Sequence, residues 1–199
     1  EGMYIGNTSY HNGVVSNGVV VWPHAITGLR VHDNRVERTG WDGIQVASVT
    51  EDVAVYNNLI EDYGLKNELW QDSGLQIGPG STGAYYNNII LRGHGTGSGI
   101  NSQGHGDMIF YNNLIVDAKG AGIISLDRLN AEQDEWYGQA NPIYFVHNTI
   151  VNPGSDGINF HNKTDSYRGS AAYNNLIVMG GATGGAIRLE FPDESELAA

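Results

Sequence analysis

Four basic residues lie near one another towards the end of the chain: His161, Lys163, Arg168 and Arg188. Such a group suits removal of a proton next to a carboxylate. That reaction needs a base, a positive charge against the carboxylate, and a proton for the leaving oxygen. His161, Lys163 and Arg188 are the candidate catalytic residues, and His105 in SQGHGD is a further candidate base. The competing reading is a solvated cluster of surface charges.

A second set has the chemistry of hydroxyl recognition. Gln45, Gln76, Asn101 and Asn159 recur at one position of a repeated short segment, in a row with Tyr4, Ile124 and Arg188. Each amide both donates and accepts, so such a row suits the hydroxyls of an extended polymer. The alternative is a row of amides that stack on one another and stay solvated. Trp70 and Trp136 sit in the two longest insertions, and Trp41 precedes a repeated segment. An exposed indole offers a flat apolar face to a sugar ring, whereas a buried one closes the core of its own loop. Asp42 and Asp72, with Glu1, fall near the starts of successive repeats and are candidate ligands for a calcium ion. No histidine pair has zinc spacing, so no transition-metal centre is expected. GPGSTG (78–83) matches a dinucleotide fingerprint as a string, but the strand-like AYYNNII follows it where a helix N-terminus is required.

Composition narrows the partners. The 199 residues carry 10 Lys+Arg against 22 Asp+Glu, a formal net charge of −12. Such a surface repels nucleic acid and anionic lipid. There is no cysteine, hence no disulfide or thiolate site. No apolar run approaches the roughly 20 residues of a membrane span. The chain opens on the strand-like EGMYIG with no leader, which suggests a mature product or a piece of something longer.

The elements that must position these side chains come from a repeat. YNNLI occurs at 56–60, 111–115 and 173–177, with YNNII at 86–90. Aligned on the second asparagine, the repeat places Asn34, Asn58, Asn88, Asn113, Asn148 and Asn175 at intervals of 24, 30, 25, 35 and 27. Between them recurs a glycine-led segment: GMYIG, DGIQV, SGLQI, SGINS, AGIIS, DGINF and GAIRL. Both segments alternate with period two, so they are strands. Val36, Ile60, Ile90, Ile115, Ile150 and Ile177 form one aliphatic column. Inward pairs run from Met3/Ile5 through Ile44/Val46 to Ile187/Leu189. No stretch reads as a useful helix, although 126–140 has room for a turn or two.

A coiling chain that stacks like residues in each turn buries its apolar columns between coils. Asparagine suits the corner twice over, since it tolerates the left-handed conformation and can hydrogen-bond along a stack. Tyr56, Tyr86, Tyr111 and Tyr173, with His32 in the same register, are expected to stack on the outer face. About 4.8 Å per rung makes seven glycine strands a column about 29 Å long.

From Gly2 to about Phe191 this pattern resembles the right-handed parallel β-helix repeat of pectate-lyase-like proteins. The resemblance implies an all-β solenoid of about six to seven coils with an asparagine ladder: one domain over 1–191 and an acidic tail over 192–199, part of a longer chain. It implies secretion or display at the cell surface, and a polysaccharide groove along the glycine-strand face. It also implies β-elimination with a lysine or arginine base and calcium or basic residues as neutraliser. The sequence departs from that pattern by having no lysine on the outer row. A non-catalytic binding, adhesion or structural module is therefore the alternative, with a phage tailspike fragment a weaker one. Oligomeric state is left open.

Overall fold

The computed structural model describes residues 1–8, 14–21, 24–104, 106–126, 142–161 and 169–190. Among them there is no helix, and the architecture is three parallel sheets wound as one coil. The first sheet holds the glycine-led strands in chain order: Met3–Ile5, Ile44–Val46, Leu75–Ile77, Ile100–Ser102, Ile123–Leu126, Ile158–His161 and Ile187–Glu190. The second holds Arg30–His32, Ala54–Tyr56, Gly83–Tyr86, Met108–Tyr111, Ile143–Val146 and Ala171–Tyr173. The third holds Arg35–Glu37, Leu59–Glu61, Ile89–Leu91, Leu114–Val116, Thr149–Val151 and Leu176–Val178. Each strand pairs in register with its counterpart one coil away, so Val36, Ile60, Ile90, Ile115, Ile150 and Ile177 form the expected column.

The two asparagines of each corner divide its work. The first residue of the pair takes the left-handed conformation: Asp33, Asn57, Asn87, Asn112, His147 and Asn174 have φ between 52° and 57°. Asn, Asp and His are the non-glycine residues that tolerate this region best. The ladder belongs to the second residue, whereas the repeat alone assigns both tasks to one asparagine. Each ladder Nδ2 donates to the next asparagine's Oδ1 at 2.9–3.0 Å, from Asn34 through to Asn175. From Asn58 onward, Nδ2 also donates to a carbonyl of the preceding coil. Each Oδ1 after the first accepts, in addition, the backbone N–H of the asparagine before it. A middle member thus makes all four of its amide hydrogen bonds while buried.

The glycine that opens each first-sheet strand is a matter of space. A Cβ at Gly43, Gly74, Gly99 or Gly122 would stand 2.4 Å from the Cγ2 of Ile60, Ile90, Ile115 or Ile150. The chain passes against the aliphatic column there, and only glycine fits. Inside, Tyr85, Phe110 and Phe145 stack at centroid distances of 4.9 and 5.2 Å, and Phe160 meets Phe145 edge-on. Outside, His32, Tyr56, Tyr86 and Tyr111 stack at 4.6–4.9 Å. Tyr173 does not join that column, because Val146 takes the intervening register position. The turns expected over 126–140 fall almost wholly outside the described residues.

Two elements lie outside the repeat. Val14–Ser16 and Val19–Val21 form an antiparallel hairpin whose turn, Asn17-Gly18, has both φ values positive. Asn-Gly favours this two-residue turn. Ile26–Thr27 pairs with Val49–Glu51.

Asn113→Ala removes four hydrogen bonds at once, those to Asn113 Oδ1 from the Asn88 backbone N–H and Nδ2 and those from Asn113 Nδ2 to the Tyr85 carbonyl and Asn148 Oδ1. It should cost about 3–5 kcal/mol and lower the melting temperature by roughly 10 °C. Asn112→Gly should stay within about 1 kcal/mol, because glycine reaches positive φ freely. Thermal melts of the two variants check the division, and equal losses would refute it.

Candidate functional site

The outward residues of the first sheet line up as read from the repeat: Tyr4, Gln45, Gln76, Asn101, Ile124, Asn159 and Arg188 are cross-strand partners in succession. Their exposure is not as expected. Gln45, Gln76, Asn101 and Asn159 are only 4–6% exposed. The outer faces of the other two sheets keep exposed residues such as Tyr144 and Ile89. The amides therefore form no open row of hydroxyl ligands. Asn101 Nδ2 donates to Gln76 Oε1 at 3.4 Å, while the Oδ1 atoms of Asn101 and Asn159 are buried with no partner. The ends of the row stay open, with Tyr4 at one and Arg188, 55% exposed, at the other.

Two of the three candidate catalytic residues meet at that second end. His161 lies opposite Glu190, and Asn159 opposite Arg188. His161 Nδ1 bonds Glu190 Oε2, and Arg188 Nε donates to Glu190 Oε1 at 2.7 Å. Arg188 Nη1 also lies 3.8 Å from Asp156 Oδ2. Asn159 Nδ2 ties the two carboxylates together, donating to Asp156 at 3.0 Å and to Glu190 at 3.4 Å. Partial burial pushes the Glu190 carboxyl up, but the hydrogen bond and charge of His161, with Arg188 and Asn159, outweigh it and hold the carboxyl below its usual range. A carboxylate on Nδ1 orients the imidazole and leaves Nε2 as the basic nitrogen. Lys163, Arg168, His105 and Trp136 lie outside the described residues.

Each of the acidic pair accepts a backbone N–H from the following coil. Asp42 Oδ1 accepts the Ser73 backbone N–H at 2.7 Å, and Asp72 Oδ2 accepts the Thr96 backbone N–H at 2.7 Å and its hydroxyl at 3.1 Å. Asp156 Oδ1 does the same for Gly185 at 2.8 Å. Each aspartate thus pins the backbone of the following coil on the side away from the asparagine ladder. Among the described residues no three His, Asp or Glu side chains gather as metal ligands. Asp42 is fully buried with Oδ2 unpartnered. Burial pushes its carboxyl up to about 7 against the Ser73 hydrogen bond, and the charges of Glu1 and Asp72 add to the rise.

Trp70 projects from its loop, 56% exposed. Trp41 is packed instead, with the Lys66 ammonium 5.5 Å from its ring centroid. The repeat did not reveal a charged network on the outer edge of the third sheet. There Arg92 bonds Asp62 through Nε and Nη2 at 3.0 Å and Glu61 at 2.7 Å, with Arg35 and His94 at its margins. Its one sequence signal is the alignment of Glu37 with Glu61.

A family model for the right-handed β-helix region matches residues 17–187. The chain belongs to that family. Neither a curated protein nor a solved structure matches it. The right-handed coil agrees with the three stacked parallel sheets and the buried columns between them.

A carboxyl whose pKa rises on folding is charged more readily in the unfolded chain. Its contribution to stability is therefore present at low pH and lost as pH climbs from about 4 through about 7. Asp42→Asn keeps an acceptor for Ser73 and removes that loss. Urea midpoints at pH 5 and pH 8 should fall less between the two values in the variant than in the parent, by a few kcal/mol at most once converted. A midpoint at pH 8 that calcium raises in the parent but not in Asp42→Asn would instead reveal a cation at this carboxyl.

Proposed function

We propose that this is a secreted or surface-displayed carbohydrate-active β-helix protein, of polysaccharide-lyase-like type, that engages an extended polysaccharide on the face outside the first sheet. The observation that carries the reading is the meeting of His161, held by Glu190, with the half-exposed Arg188 on adjacent coils of that face. A base and a cation at one point are what β-elimination beside a carboxylate requires. In this reading His161 Nε2 takes the proton alpha to a uronate carboxylate, Arg188 faces that carboxylate, and the new imidazolium proton passes to the leaving oxygen. The buried amides support the floor of the site, and contact with the polymer falls to exposed residues such as Trp70 and Tyr4.

A second reading has its own support. Arg188 already faces two carboxylates, Glu190 and Asp156, and the whole chain is acidic. That balance favours a neutral or weakly charged polymer bound without reaction.

The assay is ultraviolet absorbance of unsaturated uronic products from alginate, pectate and glycosaminoglycans, with and without calcium. The lyase reading expects a rising signal on at least one polymer, and a loss of roughly a hundredfold or more in His161→Gln. No signal from folded protein, with mobility retarded in polysaccharide-containing gels, leaves the binding reading. Neither signal nor retardation removes both.

A further inference from the structure

The YNNLI repeat has two sides, and the fold accounts for only one of them. Its second asparagine and its isoleucine point inward, to the ladder and to the aliphatic column. Its tyrosine, first asparagine and leucine point outward. They recur as Tyr56-Asn57-Leu59, Tyr86-Asn87-Ile89 and Tyr111-Asn112-Leu114 on three consecutive coils. Pairing of the coils sets Tyr56, Tyr86 and Tyr111 in a column on the second sheet, and Leu59, Ile89 and Leu114 in one on the third. Asn57, Asn87 and Asn112 turn the corner between the two sheets, exposed, with φ of 52–54°. Further coils lie on both sides of these three.

The coil does not require these residue types. Elsewhere the tyrosine position holds His32 or Val146, the left-handed position Asp33 or His147, and the leucine position Arg35 or Thr149. The sameness is not a trace of whole coils being copied either. On the same three coils the flanking outward columns differ, with Ala54, Ala84 and Ile109 on one side and Glu61, Leu91 and Val116 on the other. The ladder intervals differ too, at 30 and 25 residues. Three outward positions are alike where their surroundings have diverged.

Each of these rungs offers a phenol, an amide and an aliphatic side chain. The tyrosine rings stack face to face at 4.9 and 4.6 Å, so a ligand meets their edges and hydroxyls, not their faces. A phenol and an amide each donate and accept hydrogen bonds. Ile89, 40% exposed, and its column neighbours Leu59 and Leu114 supply apolar ground beside them. None of these side chains is charged, although the chain as a whole carries −12. Such a surface suits a neutral polymer whose units each carry hydroxyls and an apolar face, repeating near the rung height of about 4.8 Å. A ring of an extended glycan chain is about as long as a rung is high.

We propose that this corner binds a neutral, extended polysaccharide laid along the coil axis, one sugar ring per rung. Its hydroxyls meet the amides of Asn57, Asn87 and Asn112 and the tyrosine hydroxyls, and its ring C–H groups rest on Leu59, Ile89 and Leu114. The site lies between the second and third sheets and uses no residue of the first-sheet reading, so either can fail while the other stands.

The test is retardation in native gels containing hydroxyethylcellulose, galactomannan, dextran or carboxymethylcellulose, none of which carries a uronate for elimination. Hydroxyethylcellulose and galactomannan should retard the parent. Dextran, whose links add a rotatable bond and lose the even advance, should retard it less, as should the anionic carboxymethylcellulose, which the acidic chain repels. Asn87→Gly with Asn112→Gly keeps the positive φ, removes two amides and should weaken binding roughly tenfold or more. Ile89→Thr, a type the column already holds at Thr149, should weaken it several-fold. Arg38→Gly, at a left-handed position of the next corner (φ 58°), should change nothing. Thermal melts establish that each variant is folded. No retardation by either extended neutral polymer, equal retardation by all four, or binding undiminished in the folded glycine and threonine variants would each overturn the proposal.

Discussion

The asparagine ladder is the constraint on which the rest of the coil depends. An amide buried without partners is costly, and the same amide with all four bonds made locks its neighbours at one spacing. Because each asparagine holds the backbone of the coil before it as well as the next side chain, it fixes height and register together. A slip of one residue would turn every inward side chain outward. The isoleucine column and the glycines that clear it are consequences of that register. On the far side Asp42, Asp72 and Asp156 perform a related task with carboxylates, so each coil with such an aspartate is pinned at two corners.

The fold was legible because its signals are periodic. Six asparagines in register, glycine-led strands and period-two alternation all survive in a single sequence. What could not be read depends on chain that is not periodic. The row of Gln45, Gln76, Asn101 and Asn159 points away from the core as its alternation indicates. Whether it meets water is not set by that alternation. The cluster at His161 was half legible: its basic members stand out. Its organising carboxylate, Glu190, comes from a strand 29 residues on, and only the pairing of the two coils brings it opposite. Asp42 and Asp72 read as ligands from residue type alone, yet one oxygen of each accepts a backbone N–H that no composition reveals.

Charge in this molecule is concentrated in pairs. Arg30 faces one carboxylate, and Arg35, Arg92 and Arg188 face two each. Exposed pairs of this kind add little stability singly. Their larger effect is that these four cations are already compensated on a strongly acidic chain.

Since each rung repeats the same few contacts at the same positions, a coil is a unit that can be copied or lost whole. Deleting the residues between two ladder asparagines would bring together two corners that already match, with amide to amide and isoleucine to isoleucine. The intervals of 24 to 35 residues show how much the turns vary while the rungs do not. Duplication of a segment from one asparagine to the next would lengthen the molecule by one step and leave both ends unchanged. A lineage built this way can change the reach of its surface without redesigning its core.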